Sequence, residues 1–588
     1  MAAVELNKLT YSYETAGSPV VLDEISWSVE EGETVLLVGP SGCGKTTLLL
    51  TLNGLIPREI DSGVMSGDVT VCGQRTSSLR VAELAKHVGI VFQNPDEQLT
   101  CLYVEDEIAF GPENLCVPRE EVWQRLNEAL AIVGLDHMRD KVVHGLSGGQ
   151  KQRLALASCL AMRPKLLLLD APISNTDPLG SEAMLEMIHV ITKMQGLTTV
   201  ITEYDIDRIL HLVDRVVVMN HRGQLVREGS PRDVFEHGQV GAELGLWTPQ
   251  VAEAARELKR RGLAIPDLPL TEEEGERVFR ALLDTARPTW STNNGDGSVP
   301  VDREPARRRA TQAPVIQVED LHYVYQDGTV ANRGITFDIG EGEFVALVGQ
   351  NGSGKTTCAM SLVGIHKPTR GRVVVNGHDT RRVKADEITR EVAYVFQYPE
   401  HQFVRWTVHE ELEFGLRRLG RLKEHEIQAR VDATLEEIGL TDKRDRHPYM
   451  LSVGEKRRLS VAVMTITDPK ILILDEPTYG QDRRFTYQLM DYVIELNRRG
   501  TTVLFITHNM KLVAEIAQRV LVFHQGGLVY DGAPRELFPQ AELVRQTQLA
   551  PPPISSLSMR LFGRERYALS VDEFAKTFMA TLERQLRV

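Results

Sequence analysis

The sequence contains the glycine-rich pattern G-x-x-x-x-G-K-T twice, at residues 39–46 and 349–356. Glycines in such a loop allow successive backbone N–H groups to face one anion, and the N-terminus of the helix that follows adds positive potential. The lysine of the pattern, here Lys45 or Lys355, reaches the terminal phosphates of a bound nucleotide. The two loops therefore predict two phosphate-binding sites in one chain.

Carboxylates that could help to hold a metal ion and activate water follow each loop at a similar distance. In each half an apolar stretch ends in an aspartate, Asp170 or Asp475. These carboxylates, together with the hydroxyl groups of Thr46 and Thr356, suit a Mg²⁺ ion that is shared with nucleotide phosphates. Glu476, directly after Asp475, can act as the general base that polarises the attacking water. The predicted chemistry is the hydrolysis of ATP with Mg²⁺.

The two sets of motifs belong to a duplicated domain. The segment VFQNPDEQ at 91–98 returns as VFQYPEHQ at 395–402, and LSGGQKQRLALA at 146–157 returns as LSVGEKRRLSVA at 451–462. Because the spacing between the copies is nearly constant, these are internal repeats and not scattered coincidences.

Each half is predicted to alternate strands and helices. Each glycine-rich loop lies between a short apolar run and a helical stretch, and each LSGGQ-like segment opens a helix with Ser147 or Ser452 as its N-cap. The runs 166–169 and 471–474 are apolar at every position, which is typical of buried parallel strands. The predicted fold class is therefore α/β, with two P-loop nucleotide-binding domains in tandem, each with a helical subdomain and a small C-terminal helical appendix.

The chain is expected to divide into five parts. A stretch rich in Pro, Gly, Asn and charge predicts a flexible linker between the halves, and helix-start signals predict an appendix at the end of each half. Each appendix is either a packing cap or a dimerising surface. The expected parts are residues 1–236 (first nucleotide-binding domain), 237–283 (first appendix), 284–313 (linker), 314–540 (second nucleotide-binding domain) and 541–588 (second appendix).

Composition and charge limit the classes of function. The chain has 588 residues, a formal net charge of −14 and 42% hydrophobic residues, as globular proteins do. Nucleic acid is not an expected partner, because the chain is acidic and its compact basic run, 307–309, falls in the linker. Six cysteines without CxxC spacing predict neither a zinc site nor a disulfide framework and fit a reducing compartment. No signal peptide or membrane-spanning segment is predicted, so a membrane role would require partner subunits.

The full set of motifs resembles the ATPases of ABC transporters over both halves. It comprises the glycine-rich loops, Gln93 and Gln397, the LSGGQ-like segments, the strands that end in aspartate, and His508. In that family two domains sandwich two ATP molecules head to tail, each held by the glycine-rich loop of one domain and the LSGGQ segment of the other. The resemblance implies a catalytic set of Glu476, His508 and Gln397, and further Mg²⁺ contacts from Gln93 and Gln397.

The resemblance also implies the residues that contact the nucleotide. Tyr13 and Tyr325 would stack on adenine, or else they are core tyrosines. The other implied contacts are Gly39, Ser41, Gly42, Gly44, Lys45, Thr46, Thr47, Ser147, Gly148, Gly149, Gln150 and Asp177 in the first half, and Gly349, Asn351, Gly352, Gly354, Lys355, Thr356, Thr357, Ser452, Gly454 and Asp482 in the second.

The two halves differ at positions that matter for hydrolysis. Ala171 and Tyr204 stand where the second half has its glutamate and histidine, and Val453 and Glu455 replace Gly and Gln in the second LSGGQ-like segment. With head-to-tail pairing all four departures fall in one site, which is expected to bind ATP with little turnover. Ala171 alone could also be a substitution introduced to trap ATP, but that would not account for the other three.

A narrower resemblance, to the ATPases of energy-coupling-factor importers, rests on the segments at 92–115 and 401–416 and on the appendices. Those systems take up vitamins, vitamin precursors or metal ions. The resemblance implies a peripheral subunit on the cytoplasmic face of the membrane, bound to an integral membrane coupling subunit (T-like) and a substrate-binding membrane subunit (S-like). The alternative is a soluble tandem ATPase that acts on ribosomes, although such proteins usually carry a charged helical linker, unlike residues 284–313.

Overall fold

The structure is a computed structural model, and it forms two compact units. The first comprises Met1–Glu253 and Ile265–Glu274, and the second comprises Ala254–Ala264 and Gly275–Val588. The described residues are 2–13, 20–60, 63–174, 176–236, 240–285, 314–478 and 480–586. Each unit contains one copy of the predicted nucleotide-binding fold, which confirms the α/β class and the tandem arrangement.

The strands of the first half form two sheets. Their bounds are β1 (Ala2–Ser12), β2 (Leu22–Glu30), β3 (Thr34–Val38), β4 (Val64–Val71), β5 (Gln74–Arg75), β6 (Val88–Val91), β7 (Leu166–Asp170), β8 (Thr198–Thr202), β9 (Arg215–Met219) and β10 (Leu225–Gly229). In the described residues, the order β2-β1-β4-β5 makes an antiparallel sheet, and β10-β9-β3-β8-β7-β6 makes a sheet that is parallel except at β10.

Helices cover the parallel sheet and build the helical subdomain and the first appendix. Their bounds are α1 (Lys45–Leu52), α2 (Leu55–Arg58), α3 (Val81–Leu84), α4 (Val104–Asn114), α5 (Arg119–Val133), α6 (Gly148–Ala161), α7 (Pro178–Gln195), α8 (Ile206–Ile209), α9 (Pro231–Glu236), α10 (Val240–Leu244), α11 (Gln250–Arg260) and α12 (Glu272–Thr285). Strands β3, β7 and β8 are buried at every position, as is typical of the central strands of a parallel sheet.

The second half repeats this order. Its strands are β11 (Ile316–Val324), β12 (Val330–Ile339), β13 (Phe344–Gly349), β14 (Arg370–Val375), β15 (His378–Asp379), β16 (Val392–Val395), β17 (Ile471–Asp475), β18 (Thr502–Ile506), β19 (Arg519–His524) and β20 (Gly527–Gly532). The sheet orders, β12-β11-β14-β15 and β16-β17-β18-β13-β19-β20, match those of the first half. The ends of strands β13 and β17 therefore lie at one edge of the sheet, where the glycine-rich loop and Asp475 meet.

The helices of the second half end in the second appendix. They are α13 (Lys355–Leu362), α14 (Ala385–Ile388), α15 (Val408–Leu419), α16 (Glu424–Glu437), α17 (Val453–Thr465), α18 (Arg483–Arg498), α19 (Met510–Ile516), α20 (Pro534–Leu537), α21 (Ala541–Gln546), α22 (Pro553–Phe562) and α23 (Val571–Leu586). Side chains of α15, α16 and α17 form a hydrophobic core of their own, which is the helical subdomain.

The two appendices pack together within the second unit. Phe279 of α12 lies with its ring centroid 5.2 Å from that of Phe574 and 5.7 Å from that of Phe578, both on α23. All three phenylalanines are fully buried. Arg261 Nη2 also lies 2.7 Å from Asp572 Oδ1. Helices on either side of the linker in sequence therefore share one aromatic core.

None of the helices in the described part of the chain is both long enough and apolar enough to cross a membrane.

Candidate nucleotide sites

The glycine-rich loops connect the buried strands β3 and β13 to helices α1 and α13. Gly44 and Gly354 precede these helices with φ of 101° and 98°, which only glycine adopts without strain. A Cβ atom at Gly354 would lie 2.4 Å from the Ala331 carbonyl oxygen, so the close approach also requires glycine. The chain thus holds a tight loop of backbone N–H groups at the end of each central strand.

The two lysines of the loops are buried and fold back on the loops. Lys45 Nζ donates to the carbonyl oxygens of Gly39 at 2.7 Å and Pro40 at 2.9 Å. Lys355 Nζ donates to those of Gly349 at 2.8 Å and Gln350 at 2.7 Å. Both cations are therefore poised beside the loop whose shape suits an anion.

The hydroxyl and carboxylate expected at Mg²⁺ are adjacent in both halves. Thr46 Oγ1 donates to Asp170 Oδ2 at 2.6 Å, and Thr356 Oγ1 donates to Asp475 Oδ2 at 3.0 Å. Mg²⁺ usually takes one or two protein oxygens together with substrate phosphates and water. Each threonine–aspartate pair fits that donor set.

The two aspartates have different second partners, which the sequence did not indicate. Asp170 Oδ1 accepts from Thr202 Oγ1 at 2.6 Å, whereas Asp475 Oδ2 accepts from the Tyr394 hydroxyl at 2.8 Å. Both partners come from strands next to the aspartate strand, so only the folded sheet reveals them.

Tyr13 and Tyr325 are fixed to the helices that follow the phosphate loops. The Tyr13 hydroxyl lies 2.8 Å from Thr47 Oγ1, and the Tyr325 hydroxyl lies 2.9 Å from Thr357 Oγ1. Tyr325 is 39% exposed and Tyr13 is half-buried, whereas Tyr11 is fully buried. Both rings are therefore partly exposed beside the phosphate loops, and their stacking on adenine stays a prediction.

The second half brings a largely buried glutamate and a histidine together. His508 Nε2 lies 3.2 Å from Glu476 Oε1. Burial raises the pKa of Glu476 above its ordinary value, and the cations of Lys355 and Arg457 act in the opposite direction. A carboxyl with a raised pKa is a better proton acceptor, which suits a general base.

The first half has the same backbone frame with other side chains. Ala171 N donates to the Thr202 carbonyl at 3.0 Å, as Glu476 N does to that of Ile506 at 3.0 Å. Tyr204 lies two residues after Thr202, and His508 lies two residues after Ile506. The strand register therefore supports Tyr204 and His508 as equivalent positions of the two halves.

Tyr204 is part of a group of side chains that the second half lacks. Lys45 Nζ lies 5.0 Å from the centroid of the Tyr204 ring. The preceding residue, Glu203, is 4% exposed, and its Oε1 accepts from Tyr204 N at 2.7 Å. Burial raises the pKa of Glu203 to about 7. A buried glutamate at this place was not expected from the sequence, although a carboxylate at the end of an apolar strand could have indicated it.

The LSGGQ-like segments cap their helices in the same way. Ser147 Oγ accepts from Gln150 N at 3.4 Å, and Gln150 Oε1 accepts from Ser147 N at 2.9 Å. Ser452 and Glu455 repeat both bonds at 3.4 and 2.9 Å. Glu455 also forms an ion pair with Lys443, and these bonds lower its pKa although burial opposes them. Glu455 therefore preserves the capping box while adding a negative charge.

The predicted aspartates Asp177 and Asp482 are helix caps. Asp177 Oδ1 accepts from Gly180 N at 2.8 Å at the start of α7. Asp482 Oδ1 accepts from Phe485 N at 2.9 Å at the start of α18. Each of these residues therefore has a structural role in its own half, whatever nucleotide contact it makes.

Comparisons with known proteins agree with the duplicated site. The family model described as ABC transporter matches residues 22–174 and 332–479. A Methanosarcina mazei protein, provisionally named an ABC transporter ATP-binding protein, is 38% identical over 95% of this chain and 94% of its own.

Two further proteins are similar to this chain. A Bacillus subtilis protein, provisionally named the HMP/thiamine import ATP-binding protein YkoD, is 36% identical over 93% of this chain and 94% of its own. The solved structure of cbiO1 from Clostridium perfringens, described as part of the ABC transporter complex cbiONQ, aligns with 42% of this chain and 99% of its own at 33% identity and a TM-score of 0.37.

Proposed function

Since this chain belongs to the ABC transporter family, whose ATP-binding subunits bind ATP with Mg²⁺ and couple its hydrolysis to transport, we propose that it is the motor of an energy-coupling-factor importer. The cargo is a vitamin, a vitamin precursor or a metal ion. The resemblance of the segments at 92–115 and 401–416 supports the importer type. The name of the Bacillus subtilis relative, which refers to HMP/thiamine import, supports the vitamin-precursor class.

The motor has one working ATP site and one degenerate site. The observation that carries this proposal is the contact between Glu476 and His508 in one half, set against Ala171 and Tyr204 in the same backbone frame of the other. In the head-to-tail arrangement of the family, the site of Glu476 is completed by the first LSGGQ segment, which keeps Gly148 and Gln150. The other site is completed by the segment that contains Glu455. Its negative charge interacts less favourably with a polyphosphate than the neutral Gln150 does.

The residues of the working site divide the reaction among them. Lys355 and the loop N–H groups bind the phosphates, while Thr356 and Asp475 hold the site for Mg²⁺, which supplies charge stabilisation at the phosphates when bound. Glu476 takes the proton from the attacking water, and His508 orients that carboxylate from 3.2 Å. Loss of a positioned base costs about 10²–10⁴ in rate, or roughly 3–5 kcal/mol, so the half with Ala171 should contribute little turnover.

A membrane coupling subunit (T-like) is the proposed direct partner, together with a substrate-binding membrane subunit (S-like). Large apolar side chains are exposed just after each glutamine loop. Leu102 is 55% and Phe110 is 53% exposed in the first half, and Val404 is 63% and Trp406 is 78% exposed in the second. Exposed apolar side chains of this kind fit apolar helices of a partner, and they support the proposal of a peripheral subunit on the cytoplasmic face of the membrane.

The alternative, a tandem ATPase that acts on ribosomes, makes a different prediction. Affinity purification of the tagged chain from membranes should recover a hydrophobic partner. Sedimentation of the tagged chain with ribosomes, without such a partner, would favour the alternative.

Steady-state ATPase activity of the membrane complex tests the assignment of the working site. Glu476→Gln should abolish turnover, by about 10²–10⁴, because the base is lost. Adding Ala171→Glu should restore little of the lost ATPase activity, because Tyr204 still occupies the position of the histidine. Near-wild-type activity in Glu476→Gln would rule out the asymmetric motor.

A further inference from the structure

Arg457 is a buried cation of the second half that the reaction scheme above does not use. It lies near the start of α17 and is 2% exposed. Its Nη1 donates to the Phe396 carbonyl at 2.7 Å, and its Nη2 donates to the Gln397 carbonyl. A buried charge is costly unless polar groups compensate it, so these two carbonyls stabilise the guanidinium. The same hydrogen bonds fix the position of the carbonyls.

The equivalent residue of the first half is neutral and makes a weaker contact. Gln152 of α6 is 1% exposed, and its Nε2 donates to the Phe92 carbonyl at 3.3 Å. Phe92 precedes Gln93 as Phe396 precedes Gln397. The first half therefore has one long bond between a neutral side chain and this backbone, whereas the half with Glu476 has two bonds from a cation.

A second tie between the same two segments is present in both halves, so it does not distinguish them. Lys151 Nζ lies 2.5 Å from Asp96 Oδ1, and Lys456 Nζ lies 2.8 Å from Glu400 Oε1. The helix that opens with the LSGGQ-like segment is thus joined to the glutamine loop in each half. The guanidinium is the additional feature of the second half.

We propose that Arg457 is a positioning residue that fixes the backbone of Gln397 so that its side chain can reach the Mg²⁺ of the working site. This inference rests on the proposed function, because it takes Gln397 as a Mg²⁺-contacting residue. Arg457 lies on the helix that Ser452 caps, and in the head-to-tail arrangement that helix start serves the degenerate site.

The test is the Mg²⁺ dependence of ATPase activity in the full complex. Arg457→Gln, which copies the first half, should raise the Mg²⁺ concentration for half-maximal activity and lower kcat by about tenfold or more, as residues that orient metal ligands typically do. The KM for ATP should change little, because no phosphate contact is removed. Arg457→Lys keeps the positive charge but has fewer N–H donors. Its Mg²⁺ concentration for half-maximal activity and its kcat should therefore lie between those of Arg457→Gln and the wild type.

Arg458→Gln is the matched control. Its guanidinium is the neighbour on α17 and donates to the Ile438 carbonyl, away from the glutamine loop. It should leave the Mg²⁺ dependence unchanged. If Arg457 acts through Gln397, Arg457→Gln should have no further effect on kcat in a Gln397→Ala background, whereas additive losses would contradict the inference.

Thermal unfolding separates these effects from loss of the fold. A folded Arg457→Gln protein with wild-type Mg²⁺ dependence would overturn the inference. If Arg457→Gln does not fold, a folded Arg457→Lys protein with wild-type Mg²⁺ dependence would overturn the inference instead. Glu476→Gln is measured in parallel, because activity that survives it would overturn the proposed function instead.

Discussion

Ala171 and Glu476 share an unusual backbone conformation, with φ of 46° at each. This left-handed region costs an L-residue about 1–2 kcal/mol, so it persists where the surrounding structure imposes it. In the second half the conformation places a carboxylate beside His508, whereas in the first half it places only a methyl group. The first half therefore retains at Ala171 the backbone conformation that Glu476 has in the second half.

A double substitution should recover hydrolysis in the first half. In the Glu476→Gln background, Ala171→Glu with Tyr204→His should raise ATPase activity at least about tenfold above either single change, because base and histidine act as a unit. Steady-state turnover of the four proteins is the measurement. No gain in the double variant would show that Val453 and Glu455 in the second LSGGQ-like segment are sufficient to keep the site inactive.

Glu203 predicts a pH dependence of stability. Its pKa is 4.5 for the free side chain and about 7 in the folded protein, because burial disfavours the charged form. The unfolded chain ionises first as pH rises, so the folded state loses stability between pH 4.5 and about 7. Glu203→Gln does not titrate and so does not lose stability in this range. Its free energy of unfolding should exceed that of the wild type by about 3 kcal/mol above pH 7, with little difference at pH 4.5.

Thermal unfolding at pH 5 and pH 8 measures this difference. Glu186→Gln, at an exposed position on α7, serves as the control and should unfold with the wild type at both values. A Glu203→Gln protein whose advantage is the same at pH 5 and pH 8 would mean that Glu203 stays ionised in the folded state.

At the scale of the element, the starts of α6 and α17 have the same cap with different charge. Glu455→Gln keeps the capping box, as Gln150 shows, but removes the ion pair with Lys443. It should lower the free energy of unfolding by about 1 kcal/mol and leave turnover near that of the wild type, because the proposed arrangement assigns this helix start to the degenerate site. Gln150→Glu is the matched reverse change and should reduce turnover, since it brings a carboxylate to the working site.

Thermal unfolding and steady-state ATPase activity of the two variants check this prediction together. A loss of more than about tenfold in Glu455→Gln, with normal turnover in Gln150→Glu, would reverse the assignment of the two helix starts to the two sites.

The sequence predicts local elements well and their tertiary partners poorly. The glycine loops, the serine caps and the buried strand that ends in Asp475 follow from local rules of backbone conformation, hydrogen bonding and polarity. Tyr394 acts across two strands and Arg457 acts between a helix and a loop, and no local pattern shows which group lies opposite either of them. The boundary of the second unit, which takes in much of α11 and α12, is likewise set by packing.

At the scale of the whole molecule, the shared core of the appendices predicts that the halves stay together without the linker. After cleavage at a protease site inserted between residues 286 and 313, both fragments should elute together in size-exclusion chromatography. Phe279→Ala removes a fully buried ring from this core, at a cost of about 3–5 kcal/mol, and should allow the cleaved fragments to separate. Separation of the cleaved wild-type fragments would contradict this role of the appendices.

The appendix core also has a consequence in terms of mass action. Two separate ATPase subunits must find each other at their cellular concentration, whereas domains that are linked in one chain encounter each other at a fixed effective concentration, on the order of millimolar for a short tether. The specific activity of this protein should therefore stay constant on dilution, and the two halves are always supplied in equal amounts. For the proposed motor, with one working and one degenerate ATP site, this supplies a working half with every degenerate one.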